Sequence, residues 1–165
     1  MVAGAGSRHL LVSRIRSGTV IDHIPAGRAL SVLRILGLTG REGYRIAVVM
    51  NVESRKLGRK DIVKIEDVYV SEDVARRIAL VAPRATLNVI RGYEVQEKKS
   101  LEPPETVEGI LRCINPTCIT RKPGEPVRPR FRRLPGGRLR YQCIYCGTIL
   151  EEDDIIEQLT GGTQA

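Results

Sequence analysis

Cys113, Cys118, Cys143 and Cys146 are the only cysteines in this 165-residue chain, and all four lie in its last third. They form two close pairs, Cys-x4-Cys and Cys-x2-Cys, separated by a stretch rich in Arg and Pro. A close pair lets the backbone bend so that two sulfurs face one point. Two such knuckles enclose a tetrahedral cage of thiolates, the geometry that Zn2+ favours. The two histidines, His9 and His23, lie far away in sequence. Four thiolates therefore fill all four positions, and such a closed cage is structural, because a catalytic zinc keeps one position for water. The expectation is one structural Zn2+ per chain. The alternative is a pair of disulfides, which need an oxidising compartment. The first residues, Met1-Val-Ala-Gly-Ala-Gly-Ser-Arg-His, show no basic region followed by a long apolar run, so they do not read as a signal peptide. No stretch approaches the roughly 20 apolar residues of a membrane span. The chain is expected to be cytoplasmic, reduced and without a membrane partner.

The net charge of +8 is unevenly spread. Residues 113–146 carry eight Lys/Arg against one Asp/Glu, whereas residues 147–165 carry five acids and no base. A basic zinc module can meet nucleic-acid phosphates or an acidic protein surface. Aromatic residues make up only 4% of the chain, which leaves few platforms for stacking single strands. The module has too few large apolar residues for a core of its own. Metal binding would supply the missing folding free energy, about 10 kcal/mol or more in small zinc modules.

Upstream of the cysteines the pattern alternates between strands and helices. His9–Arg16 reads as a strand entering Ser17-Gly18, and Thr19–Ile24 as a second extended piece ending at Pro25. Ala29, Leu30, Leu33 and Leu36 recur at helical spacing, with Gly37 placed to stop the helix. Tyr44–Val52 is apolar and β-branched, the pattern of a buried strand. Gly58-Arg-Lys-Asp reads as a turn before a strand over Ile62–Val70. Ser71 is an N-cap, followed by Glu72 and Asp73 where the helix dipole favours acids. Val74, Ile78 and Val81 share a face of that helix, and Pro83 ends it. Ala85–Arg91 and Tyr93–Val95 are extended pieces around Gly92. The order is that of an α+β, ferredoxin-like domain, an antiparallel sheet with two helices on one face. Residues 98–106, with Pro103-Pro104, read as a linker, semi-rigid because of the prolines. The expected division is 1–100, a linker at 101–106, and a small zinc-binding β domain at 107–165, with a hairpin tip at Pro135-Gly136-Gly137.

No catalytic constellation stands out. There is no Walker A loop and no Gly-x-Gly-x-x-Gly opening a helix. Asp22-His23 is the one pair suited to acid–base work, and neighbours on a strand point to opposite faces. Binding is the better expectation. Lys64 interrupts the apolar run Ile62-Val-Lys-Ile. By pattern alone it is either a solvated strand residue or a cation for a phosphorylated ligand.

Four segments carry a resemblance: Ser17-Gly-Thr-Val-Ile-Asp-His-Ile-Pro, Gly58-Arg-Lys-Asp-Ile-Val-Lys-Ile-Glu, Ala82-Pro-Arg-Ala-Thr-Leu-Asn-Val-Ile and Tyr93-Glu-Val. Together with Cys-x4-Cys…Cys-x2-Cys they resemble, in order from about residue 10 to 150, the regulatory chains of aspartate carbamoyltransferase. The resemblance implies a non-catalytic subunit. Its N-terminal domain would bind nucleoside triphosphates, CTP and ATP, and its zinc domain would dock on the catalytic chain. Regulatory homodimers would tie catalytic trimers into a dodecameric holoenzyme of pyrimidine biosynthesis. Matched motif by motif, Asp22 falls where the family holds ribose hydroxyls and His23 falls near the phosphates. Lys64 and Lys98 fall at the two nucleotide-binding lysines, and Lys60 is a further phosphate candidate. Val12, Ile15, Asn88, Ile90, Tyr93 and Val95 line the matching base and ribose pocket. The chain departs from the pattern at Arg14, which adds charge beside that pocket. It departs again in Ile114-Asn-Pro-Thr and Ile144-Tyr145, where polar docking residues are partly replaced.

The rival is a basic zinc-ribbon protein that binds nucleic acid. It requires tight polynucleotide binding that weakens steeply with salt. The regulatory reading expects none.

Overall fold

The computed structural model describes residues 13–161. Residues 9–12 of the first expected strand, and Val12 of the expected pocket, lie outside that range. Five strands form the larger sheet: β1 (Ser17–Pro25), β2 (Ile46–Ser54), β3 (Gly58–Glu66), β4 (Thr86–Arg91) and β5 (Glu94–Ser100). All pair antiparallel, in the order β2-β3-β1-β4-β5. Two helices, α1 (Ala29–Ile35) and α2 (Glu72–Val81), cover one face, the ferredoxin-like arrangement extended by β5. Strand alternation sets the two faces. Ile21, Val63, Ile65 and Leu87 point to the helices and are buried with Val32, Ala75 and Ile78. Val20, Lys64 and Asn88 point the other way. Burying one large aliphatic side chain of this core contributes about 1.5–3 kcal/mol.

The capping signals act as expected. Ser71 Oγ accepts from Val74 N at 3.3 Å, and Gly37 follows α1 with φ 72°. Other expectations fail for physical reasons. Residues 13–16 are not in a strand, and the extended piece expected over Thr19–Ile24 is β1, which already begins at Ser17. Gly58–Asp61 is not a turn but the first half of β3, and the turn lies at Arg55–Leu57. Asp61 looks like a turn residue in sequence. In the fold its carboxylate is wholly buried and accepts backbone N–H groups from Gly27, Ala29 and Asn51 at 2.9, 3.0 and 2.9 Å. The strand expected to reach Val70 ends at Glu66, where Asp67 turns with φ 60°. Tyr44–Val52 is not a buried strand, because β2 is an edge and only half covered. Lys98–Ser100, read as linker, belong to β5 and pair with Thr86–Asn88.

A second sheet, β6 (Thr106–Glu108), β7 (Arg130–Arg133), β8 (Tyr141–Cys143) and β9 (Ile149–Leu150), pairs in that order. The acidic tail, silent in sequence, forms α3 (Glu152–Leu159). Glu152, Asp153 and Asp154 occupy its first turn, and Glu151 and Asp154 exchange capping hydrogen bonds. Ile155 of α3 packs with Val107, Leu111, Phe131, Tyr141, Leu150 and three of the cysteines. The Tyr141 hydroxyl donates to Pro104 O at 2.6 Å. Leu80 of α2 belongs to this second core, whereas Val74, Ala75, Ile78 and Ala79 of the same helix pack in the first. The small core is therefore completed by a residue of the other half. Among the described residues no helix is long and apolar enough to cross a membrane.

Gly18 adopts φ 138° in the middle of the sheet, where a Cβ would run into the Ile65 carbonyl oxygen and Asp67 N. The Gly18→Ala variant is expected to lose about 2 kcal/mol or more of stability, from backbone strain plus overpacking. A denaturant titration of the whole chain checks this, and unchanged stability would contradict it.

Candidate functional site

The helix-free face of the large sheet carries a cleft whose layout follows from strand register. Ala47, Lys64, Val20, Asn88 and Lys98 form one row across all five strands. Register partners share a face, so residues distant in sequence are brought side by side. A cavity of about 370 Å3 is lined by Arg14, Ile15, Val20, Lys64, Asn88, Ile90, Tyr93 and Val95. Six of the expected residues thus meet there. One end is apolar, from Ile15, Ile90 and Val95, with Tyr93 held in a left-handed turn at φ 66°. Asn88 Nδ2 donates to Val20 O at 3.3 Å.

The other expected residues form a polar cluster further along β1. Lys60 Nζ lies 2.9 Å from Asp22 Oδ1. His23 N donates to the same oxygen at 2.6 Å. The register of β1 against β3 shifts between Ile21 and Ile24, and His23 takes φ 57°. This bulge overturns the expectation that Asp22 and His23 face opposite ways: the His23 ring comes within 3.9 Å of Asp22 and 3.3 Å of Thr86 Oγ1. Lys98 occupies the row that borders this cluster.

Burial pushes the Asp22 carboxyl up, but the Lys60 and His23 hydrogen bonds and the Lys60 charge outweigh it and hold it below the ordinary value. Burial lowers the His23 pKa, and Lys60, Lys56 and Lys98 reinforce this against the opposing pull of Asp22. His23 is therefore biased toward its neutral form relative to an ordinary imidazole. Lys64 is also depressed, by burial first and by the Arg14 charge, with Asp22 opposing. Lys64 Nζ donates to Ser13 O at 3.4 Å. Arg14, Lys60, Lys64 and Lys98 gather around the Asp22 carboxylate and make a field that an anion relieves.

The four thiols converge as the knuckle spacing requires. All four Sγ atoms lie within 4.8 Å of one another, with Cys113–Cys146 at 3.5 Å and Cys118–Cys143 at 3.8 Å. A tetrahedral cage with metal–sulfur bonds of about 2.3 Å has edges of about 3.8 Å. All four sulfurs sit at this spacing around one point, so the donor set fits a metal. Burial pushes the Cys113 thiol up to about 12 and raises Cys143. Cys146, exposed beside Thr148 Oγ1, is drawn down to about 6. A bound cation offsets the cost of holding buried thiolates.

Some participants were missed in sequence. Val20 and Thr86 become visible only once register is known. Thr120 and Thr148 lie 3.2 Å from Cys118 and Cys146. Their signal was present, since each follows its cysteine by two residues and can donate a hydroxyl to the thiolate.

A cationic cleft on a two-helix sheet, beside a unit that gathers four thiols, gives the chain one candidate ligand site and one candidate metal site. The comparisons agree. Residues 10–102 match the allosteric domain of the aspartate carbamoyltransferase regulatory chain, and residues 105–156 match the metal binding domain of the same chain. A protein of Hyperthermus butylicus called aspartate carbamoyltransferase regulatory chain is 63% identical over 162 residues, covering 98% of this chain and 99% of its own. Proteins of the same name from Thermofilum pendens and Saccharolobus solfataricus are 59% and 54% identical. They are covered over 94% and 99% of their lengths, and this chain over 91% and 96%. The chain belongs to the family of aspartate carbamoyltransferase regulatory chains, a family of non-catalytic subunits.

Removing the metal is expected to open the second core, because three cage thiols lie within it. Amide hydrogen exchange after chelation should show lost protection from Val107 to Ile155 and retained protection in β1, β3 and β4. Full protection of both halves without metal would contradict this.

Proposed function

We propose that this chain senses nucleoside triphosphates of the CTP and ATP type and passes their binding to aspartate carbamoyltransferase catalytic chains. The observation that carries the reading is the row Lys64–Val20–Asn88–Lys98, apolar on one side and bordered by Asp22 and Lys60 on the other. A base suits the Ile15, Ile90 and Val95 end. A carboxylate such as Asp22 can accept two sugar hydroxyls, and lysines offset phosphate charge. Residues 1–100 are the sensing domain, 101–106 the linker and 107–165 the metal domain.

The metal is zinc, one per chain, the ion whose preferred geometry is four thiolates in a tetrahedron. The docking surface is the outside of the cage, where Ile114, Ile119, Ile144 and Tyr145 are exposed apolar side chains around the two knuckles. Two copies pair through the sensing domain, and such dimers join catalytic trimers in a cytoplasmic dodecamer. The basic surplus of the metal unit is partly engaged within the fold. Arg133 donates to Pro103 O and pairs with Glu105, and Arg132 donates to Gln142.

Titration calorimetry of the whole chain with CTP and with ATP tests the sensing role. Lys98→Ala is expected to weaken binding by about 1.5–3 kcal/mol, the scale of a charge-assisted hydrogen bond. Unaltered affinity removes Lys98 from the site, and no binding of either nucleotide removes the reading. Metal analysis should return about one zinc per chain, and another metal or none would refute the zinc assignment.

A further inference from the structure

Arg28 joins the two halves of the chain. We propose that it is the positioning residue through which nucleotide binding in the cleft reaches the metal unit. In this relay Asp61 couples Lys60 to the Gly27–Ala29 backbone, and Arg28 couples that backbone to Glu152. The proposal rests on the sensing role above and specifies how that site regulates.

The path starts at the Lys60–Asp22 ion pair, 2.9 Å long. An anionic phosphate competes with Asp22 for the lysine. Lys60 and Asp61 are neighbours on β3, one facing the cleft and the other the core. The ladders beside them are irregular on both sides. The β1 register shifts between Ile21 and Ile24, the β2 register shifts between Val49 and Val52, and His23 and Asn51 sit at φ 57° and 59°. Lys60 pairs with Pro25, which has no N–H to give. This stretch of β3 thus lies between two bulges, and one wholly buried carboxylate ties it to the backbone of both neighbouring segments. Asp61 Oδ2 accepts from Gly27 and Ala29, and Oδ1 accepts from Asn51.

Arg28 lies between the two N–H donors that Asp61 holds on the loop. Its Nη1 donates to Val81 O, at the end of α2, at 2.9 Å. Its Nη2 donates to Glu152 Oε2, at the start of α3, also at 2.9 Å. Glu152 Oε1 accepts from Leu139 N at 3.2 Å. One planar fork therefore spans the loop, α2 and the metal unit, and a lysine has no such fork. Leu80 also joins the halves through apolar packing. The halves are therefore held together without Arg28, and its loss affects transmission rather than assembly.

The test uses complexes of catalytic chains with wild-type, Arg28→Gln, Arg28→Lys and Glu152→Gln regulatory chains. Two quantities are read for each: the Kd for CTP and ATP, and the change in catalytic rate that each nucleotide causes. In Arg28→Gln and Glu152→Gln the Kd and the basal rate should stay near wild type, while the nucleotide response falls by about twofold or more. Arg28→Lys should lose response too, since it keeps the charge without the fork. A chain carrying both Arg28→Gln and Glu152→Gln, assembled in the same way, should respond as Arg28→Gln does, because both break one link. A wild-type response in Arg28→Gln overturns the relay, as does a Kd that weakens in step with the response. If Arg28→Gln does not assemble, Glu152→Gln decides alone by the same criteria. A wild-type complex that neither binds nor responds to the nucleotides refutes the sensing role, and the relay with it. A responding wild type beside an equally responsive variant refutes the relay alone.

Discussion

One buried carboxylate organises the part of the sheet on which the cleft depends. Asp61 is wholly shielded from water, and an unsatisfied charge there would cost several kcal/mol. Three backbone N–H groups from two separate segments converge on it. That convergence fixes where the loop before α1 runs and where β2 bulges. The bulge in β1 lies at the same level of the sheet and turns His23 beside Asp22. Core-side satisfaction and cleft-side geometry are thus two aspects of one irregularity.

The cleft itself is electrostatically unbalanced. Among the described residues, half-buried Lys60 and Lys64 lie near the Asp22 carboxylate, with Arg14 and Lys98 at the margins. Burial weakens the hold of Lys64 on its proton, and the neighbouring Arg14 adds to that. Like charges gathered on a rigid sheet repel, and the fold holds them together through strand pairing. A polyanion is the ligand class that reverses this repulsion. The apolar end supplies a surface for a planar group that phosphate alone would not use.

The metal unit shows how a short segment acquires a core. Its two largest buried side chains, Phe131 and Tyr141, are joined by three cysteines, by Ile155 from the terminal helix and by Leu80 from the other half. Metal coordination and borrowed apolar surface both compensate for small size. Borrowing has a further consequence, because α2 now belongs to both cores. The helix is thus a packing element common to the two halves.

Local chemistry determined much of this protein. Knuckle spacing placed four thiols at one point, Ser71 and Gly37 bounded their helices, and alternating apolar residues set the strand faces. The element order was sufficient for the ferredoxin-like class. The cleft residues were legible chiefly through motif resemblance, because nothing local distinguishes Lys64 from a solvated lysine. Tertiary structure decided the rest. Asp61 reads as a turn residue until its three partners, from distant positions, are seen. Lys64, Asn88 and Lys98 become neighbours only through register, a property of strand pairs and not of any strand. The acidic tail shows nothing in sequence beyond its charge, and its role appears only where Ile155 joins the second core. Arg28 looks like a surface residue until Val81 and Glu152, far away in the chain, accept from its two nitrogens. The physical reason is common to all of these. Periodicity and capping are energies of neighbours in sequence, whereas burial of charge, register and contacts between cores are energies of neighbours in space.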